Sequence, residues 1–181
     1  LRTWIFQNDL LGIGKYRDEI RRFLQSGEIT DKLRLLIDKT FDISSIQGFN
    51  VIGFSIFSWY YFLFALLLSK RIRQRTNTPI VFGGPFITLY GQLYPESFNF
   101  IDYMIVGDGR IPLLKLIDYL NNKITISEVP NLIYKQNVTL ITNPKANYPI
   151  EDIPIPDFSD LPLKLYKNIF SILHRNNIML D

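Results

Sequence analysis

Three short apolar runs in this chain each break off into a cluster of glycine or serine. Val51-Ile52-Gly53-Phe54 stops at Ser55, Pro79-Ile80-Val81-Phe82 at Gly83-Gly84-Pro85, and Tyr103-Met104-Ile105-Val106 at Gly107-Asp108-Gly109. Each run is followed by a segment patterned as a helix. Apolar, β-branched runs alternating with helices predict a doubly wound α/β fold, a parallel sheet covered on both faces. In such a sheet the C-terminal strand ends share one edge, and ligands bind in the crevice there. Ser55, Gly83-Gly84 and Gly107-Asp108-Gly109 are therefore expected to converge on one site. Small residues at that edge let a flat or bulky ligand approach the backbone closely.

The remaining pattern fills in around these runs. Thr3-Trp4-Ile5-Phe6 reads as a first strand running into Gln7 through Gly14. A helix follows, with Tyr16, Ile20, Phe23 and Leu24 on one face and Gly27 as its stop. Thr30 and Asp31 can cap a second helix through Lys39, with Leu33, Leu36 and Ile37 inward. A third helix spans about Trp59 to Arg75. Pro112 suits the first turn of a helix that ends at Leu120. Asn131–Tyr134 and Val138–Ile141 flank Lys135-Gln136-Asn137 as a β-hairpin. Pro154, Pro156 and Pro162 exclude a helix or central strand from Ile150 to Pro162, which reads as an ordered strap or linker. The expected organisation is an α/β domain over 1–149, hairpin included, and a proline-rich strap and linker over 150–181.

Val51 through Ser69 carries no charge and is followed by Lys70-Arg71, so a membrane span is a competing reading. Gly53, Ser55 and Ser58 fall where a strand would turn into a helix, and the next strand follows closely at Pro79. A buried strand plus a buried helix is the favoured reading, with no membrane association. A helix that is apolar nearly all round is expected where it packs centrally on a sheet.

Composition narrows the chemistry. With 47% hydrophobic and 14% aromatic residues, the chain can build a core. A net charge of +3 is too weak to indicate nucleic acid, and none is expected as a partner. The one basic cluster, Lys70-Arg71-Ile72-Arg73-Gln74-Arg75, falls at a helix end, where cations complement the dipole. There is no cysteine, which excludes disulfides, thiolate zinc and an iron–sulfur cluster held by these residues. The single histidine, His174, lies outside the expected core, which argues against a Ser–His–Asp triad. No metal-ligand spacing is evident. No signal peptide is visible, and the expected location is the cytoplasm.

These motifs resemble the cobalamin (vitamin B12)-binding domain at the N-terminus of many radical S-adenosylmethionine (SAM) enzymes. That family carries D-x-H-x-x-G, then S-x-L, then G-G. Asp9-Leu10-Leu11-Gly12-Ile13-Gly14 is similar to the first element, Ser55-Ile56-Phe57 to the second and Gly83-Gly84 to the third. The stretches between them, positions 15–54 and 58–82, are similar in length to the family's. "Val-Phe-Gly-Gly-Pro", "Ile-Asp-Tyr-Met-Ile-Val-Gly-Asp-Gly" and "Ile-Pro-Ile-Pro-Asp-Phe" also read like the radical SAM branch. The likeness covers about 50–166 well and 1–49 loosely. It implies a Rossmann-like, flavodoxin-like fold.

Two positions depart from the family pattern. Leu11 stands at the axial histidine position, so the resemblance implies a base-off corrinoid with no protein histidine on cobalt. Phe57 replaces the leucine of S-x-L. By the same resemblance, Ser55 would hydrogen-bond the dimethylbenzimidazole end of the nucleotide tail. Ile56, Phe57, Gly83, Gly84 and Pro85 would line its slot. Gly107, Asp108 and Gly109 would form the far wall, with Asp108 near the ribose or phosphate linkage. Asp9, Leu11 and Gly14 complete the expected cofactor-binding set, although Asp9 keeps no clear role without the histidine. No catalytic residue and no metal ligand are assigned.

Each of these residues also has a purely structural reading. Ser55 can cap the helix starting near Trp59. Gly83-Gly84-Pro85 can be a tight loop. Gly107-Asp108-Gly109 can be a turn and N-cap. Asp9–Gly14 can be a plain strand-to-helix connection, with Leu11 in the core.

The expected function is a corrinoid-binding module of a radical SAM enzyme, of the methyltransferase type, that binds and orients the cofactor without being catalytic alone. In the family the partner is a following barrel that holds a [4Fe-4S] cluster and SAM. The proline strap would lead into that barrel, with its cysteine triplet soon after Asp181. The alternatives are a degenerate scaffold or docking module of the same fold and a nucleotide-binding or response-regulator-like domain. The last is weakened by the lack of G-x-G-x-x-G after the first strand.

Overall fold

The alternation of apolar runs and amphipathic segments folds as an α/β sheet layered between helices. The structure is a computed structural model that describes residues 13–91, 98–149 and 159. The chain divides into two compact units, Leu1–Asn147 and Tyr148–Asp181, and every element below belongs to the first. The expected strand Thr3–Phe6, Asp9, Leu11, and the strap and linker apart from Ser159 lie outside the described residues.

Five strands order as β1 (Ile52–Ser55), β2 (Ile80–Gly83), β3 (Tyr103–Ile105), β4 (Leu132–Gln136) and β5 (Thr139–Thr142). β1, β2 and β3 run parallel, with Ser55 beside Gly83 and Val81 beside Tyr103. β4 is antiparallel to β3, and β5 to β4. The sheet is therefore mixed. The expected hairpin is not a separate appendage but extends the same sheet. The first strand runs on to Gln136 and the second lies one residue later than the pattern suggested, so the turn tightens to Asn137-Val138. Asn137 takes φ 58°, which asparagine tolerates in a short hairpin turn.

Successive strand residues point to opposite faces. Ile80, Phe82, Met104 and Ile133 join one core. Val81, Ile105 and Leu132 join the other. The first core is closed by α1 (Arg17–Ser26), α2 (Asp31–Thr40), α3 (Trp59–Arg73) and α4 (Pro85–Tyr90). The second is closed by α5 (Arg110–Leu120), which inserts Leu116. Helices thus cover both faces, as the apolar runs require.

α1 buries Ile20 and Phe23 and stops at Gly27, whose φ of 81° lets its N–H return to the Phe23 carbonyl. α2 buries Leu33 and Ile37, and the Thr30 hydroxyl accepts from the Leu33 N–H at 3.3 Å as its cap. α3 buries every residue from Phe62 to Ser69, and also Ile72. Fully burying a Leu or Phe contributes about 1.5–3 kcal/mol, so this helix anchors the core. It accounts for the uncharged run read as a possible span: among the described residues, no helix is long and apolar enough to cross a membrane.

The basic cluster at the end of α3 is committed to specific contacts. Lys70 Nζ donates to the Leu24 carbonyl at 2.6 Å, which closes the end of α1, and stands 5.4 Å from the centre of the Phe23 ring. Burial lowers its pKa from the usual lysine value. Arg71 donates to Gln74 at 3.1 Å. Arg73 pairs with Asp102 at the start of β3 and reaches the Phe100 carbonyl at 3.5 Å. The helix ends at Arg73, two residues earlier than expected, with Gln74 as its C-cap.

Candidate functional site

The C-terminal ends of β1, β2 and β3 lie side by side, with Ser55 in register with Gly83. Ser55 is exposed on the strand end. It does not cap the following helix: Ser58 occupies the N-cap position of α3, without a side-chain cap bond. Phe57 is 74% exposed in the intervening loop. Ile56 turns the other way, with its side chain 1% exposed in the core.

A lateral series of hydrogen bonds joins the strand ends. The Ile56 N–H donates to the Gly83 carbonyl at 2.8 Å, and the Phe86 N–H donates to the Ile56 carbonyl at 3.0 Å. The turn after β2 is thereby fastened to the loop after β1. Gly84 sits inside this joint with φ 96°. A Cβ there would lie 2.7 Å from both the nitrogen and the oxygen of Ile56. Pro85 takes the first position of α4, where its missing N–H costs nothing.

The series continues to β3 through Thr88. Its hydroxyl donates to the Gly84 carbonyl at 3.1 Å and accepts from the Gly107 N–H at 2.9 Å. Gly107 has φ 84°, and nothing lies within 4 Å of where its Cβ would be. Val106 is held separately, its N–H donating to the Asn131 carbonyl at 2.9 Å.

Asp108 is turned to its own chain. Its carboxylate accepts from the Arg110 backbone N–H at 3.1 Å and from Arg110 Nε at 2.9 Å, and it pairs with the guanidinium. Hydrogen bonding from Arg110 holds the Asp108 pKa down to about 2. Gly109 is the N-cap residue of α5. The Gly107-Asp108-Gly109 stretch thus acts as the turn and helix start that its composition allows, with an ionised carboxylate beside the edge.

Aromatic rings flank the edge where α3 and α4 begin. Trp59 and Phe86 have ring centres 6.1 Å apart, Phe86 and Tyr90 4.9 Å, and Phe62 stacks on Phe86 at 5.0 Å. Trp59 and Tyr90 are about half exposed.

Of the expected site residues, Ser55, Ile56, Phe57, Gly83, Gly84, Pro85, Gly107, Asp108 and Gly109 all fall at this edge. Gly14 falls in a short 3-10 turn, Ile13–Tyr16, that leads into α1. Thr88 and Asn131 were not foreseen. Asn131 follows no motif, but a threonine four residues after a glycine at a helix start is a recognisable back-bonding position.

The edge fits a flat, bulky ligand at three points. The Ser55 hydroxyl is exposed and engaged by no described residue. A Cβ on Gly83 would meet nothing closer than the Ile105 carbonyl at 3.8 Å, and Gly107 faces open space. Among the described residues, no group of His, Cys, Asp and Glu is arranged to hold a metal ion.

No protein-family model matches the chain. It is 28% identical over 102 residues to an uncharacterized methyltransferase of Pyrococcus horikoshii, a match covering 55% of this chain and 22% of the relative. Two solved structures of the radical S-adenosylmethionine methyltransferase TsrM from Kitasatospora setae also match, each at 18% identity. One, with cobalamin and a [4Fe-4S] cluster bound, superposes with a TM-score of 0.50 over 66% of this chain and 22% of that one. The other, with tryptophan and a SAM analogue, gives 0.49 over 63% and 22%. This chain spans 22% of the length of each of these proteins. It is similar in sequence to an archaeal methyltransferase and shares its α/β fold with part of a radical SAM methyltransferase that was solved with cobalamin bound.

Proposed function

We propose that this chain is the corrinoid-binding module of a larger methyl-transferring radical SAM enzyme. The observation that carries the reading is the convergence of exposed Ser55, unobstructed Gly83 and open Gly107 on one edge of the parallel strands. The order of Ser55-Ile56-Phe57 and Gly83-Gly84 along the chain and the fold shared with TsrM support it. Ser55 would donate to the nucleotide tail, Gly83 and Gly107 would leave room for it, and the rings of Phe57, Trp59 and Tyr90 would shield the corrin from water. With leucine at position 11, the corrinoid would be bound base-off without a protein imidazole. The cofactor, once bound, supplies a cobalt centre able to carry a methyl group; the protein binds and orients it. The [4Fe-4S] cluster and SAM would belong to a barrel in the parent chain, since this sequence contains no cysteine.

A second reading is favoured by one observation. The demand for glycine at 84 is met by the Ile56 backbone without any ligand. On that reading the domain is a scaffold or docking module of the same fold.

Hydroxocobalamin binding separates the two. The folded chain is expected to retain hydroxocobalamin on gel filtration, with a shifted visible spectrum. Ser55→Tyr and Gly83→Leu fill the open edge and are expected to abolish retention while preserving the circular dichroism of the fold. The Co(II) form is expected to show no protein nitrogen coupling in its EPR spectrum. A well-folded wild-type chain that retains no corrinoid establishes the scaffold reading instead.

A further inference from the structure

β5 is the last strand of the sheet, paired with β4 on one side and, among the described residues, with nothing on the other. The direction of its backbone groups follows from the ladder. Thr142 stands opposite Ile133, and the Asn143 N–H donates to the Leu132 carbonyl at 2.8 Å. Bonded and non-bonded pairs alternate along an antiparallel ladder. Thr139 and Ile141 therefore turn their N–H and C=O groups to β4. Leu140 and Thr142 turn theirs out of the free edge.

This edge lacks the usual guards. Val138-Thr139-Leu140-Ile141-Thr142 contains no charge and no proline, the devices that commonly keep an edge from pairing. Thr139 and Thr142 are exposed, and Leu140 and Ile141 are half-buried. The following residues do not run back along it. The Asn143 amide donates to the Ile126 and Val129 carbonyls at 2.7 and 2.8 Å, and the Ala146 N–H donates to the Asn131 amide oxygen, which carries the chain toward the β4 side.

We propose that β5 is a self-association edge, onto which a second copy of this chain adds its own β5 antiparallel, with the two-fold axis at Ile141. In that register Leu140 of each copy faces Thr142 of the other. The two outward residues of one copy then give and accept four backbone hydrogen bonds with the same two residues of its partner, so one patch completes itself. Ile141 meets its own copy in a non-bonded pair, where side chains lie closest. A second β5 is also uncharged, so it sets no charge against Leu140 or Ile141. The inference is independent of the corrinoid reading: β4 separates β5 from the strands whose ends form the candidate site.

Sedimentation of the full chain over roughly 10 µM to 1 mM, the range of a small interface, is expected to show a monomer–dimer equilibrium. Thr142→Pro removes an outward N–H and no bond to β4, so it should fold and melt like wild type. It deletes two of the four bonds across the axis and is expected to weaken the dimer by roughly tenfold or more. A second measurement uses the absence of cysteine from the chain. Ile141→Cys places two thiols on the axis, at a separation a disulfide spans, and is expected to cross-link into a dimer under copper–phenanthroline. Thr139→Cys places them about 13 Å apart along the paired strands and is expected not to. A chain that stays monomeric throughout overturns the proposal. So does a dimer that Thr142→Pro leaves intact, which would lie on another face. Equal cross-linking at 139 and 141 overturns the two-fold register. Slow amide exchange at Leu140 and Thr142 in a monomer would show the edge covered by another part of the chain, and overturns the proposal as well.

Discussion

Gly84 and Ile56 meet backbone to backbone: a Cβ on Gly84 would stand 2.7 Å from both the nitrogen and the carbonyl oxygen of Ile56. Those two atoms are the ones already bonded to Gly83 and Phe86. The neighbouring Gly83 has no such constraint, its nearest contact being 3.8 Å away. Gly84→Ala is therefore expected to destabilise the fold by about 3 kcal/mol or more, from steric overlap added to a left-handed backbone. Gly83→Ala is expected to cost about 1 kcal/mol or less. Urea denaturation of both variants measures the difference, and equal losses would remove the distinction drawn between them.

Asn131 replaces a stretch of ladder with its side chain. Its amide nitrogen donates to the Ala146 carbonyl at 3.1 Å, and its amide oxygen accepts from the Ala146 N–H at 2.7 Å. Its own φ is 59°. Asn131→Ala loses both bonds and strains the backbone, and is expected to cost about 2–4 kcal/mol. Asn131→Gly loses the same bonds without the strain, so it should be the milder substitution by about 1 kcal/mol. Thermal melts rank them; an alanine variant at least as stable as the glycine one contradicts the assignment.

Asp102 ties the start of β3 to its neighbours. One carboxylate oxygen accepts from the Ile80 N–H at 2.7 Å and also meets the Arg73 guanidinium. Asp102→Ala leaves the Ile80 N–H unmet and the Arg73 guanidinium with its long contact to the Phe100 carbonyl, and is expected to cost about 1–3 kcal/mol. Asp102→Asn keeps an oxygen for Ile80 and should recover part of that loss. Denaturant midpoints of the two variants and of Arg73→Lys check the order, with lysine a poor substitute for the planar fork.

Asp108 carries a pH dependence with a definite sign. Its pKa in the fold is about 2, lowered by hydrogen bonds from Arg110. A free aspartate titrates near about 3.9. The Asp108–Arg110 pair therefore supports the fold fully above about pH 4 and loses that support as the pH falls toward about 2. Carboxyl NMR titration should find Asp108 ionised at pH 3. Asp108→Asn should flatten the acid limb of stability of the α5 start, and a carboxyl titrating near pH 4 would contradict the geometry.

Much of this architecture was written in local pattern. The strands 52–55, 80–83 and 103–105, the Gly27 stop and the Thr30 cap follow from apolar runs and end-signals, because each reports on its own few neighbours. The edge was legible too, since parallel strands separated by helices must end on the same side. Element ends were less so: α3 stops at Arg73, where the Arg75 and Thr76 N–H groups both turn back to the Ile72 carbonyl, and the partner of Arg73, Asp102, lies far along the chain.

By itself, then, the order of apolar runs, helices and small residues determined that Ser55, Gly83 and Gly107 share an edge. Only the tertiary structure decided what each does there. It packed Gly84 against Ile56 and brought Thr88 to Gly107. It also turned the 132–142 hairpin into an antiparallel extension of the sheet. The physical reason is the range of the interactions. Patterning and capping act within one or two turns of chain, whereas backbone contact across loops and a bridging hydroxyl exist only once distant segments are in register.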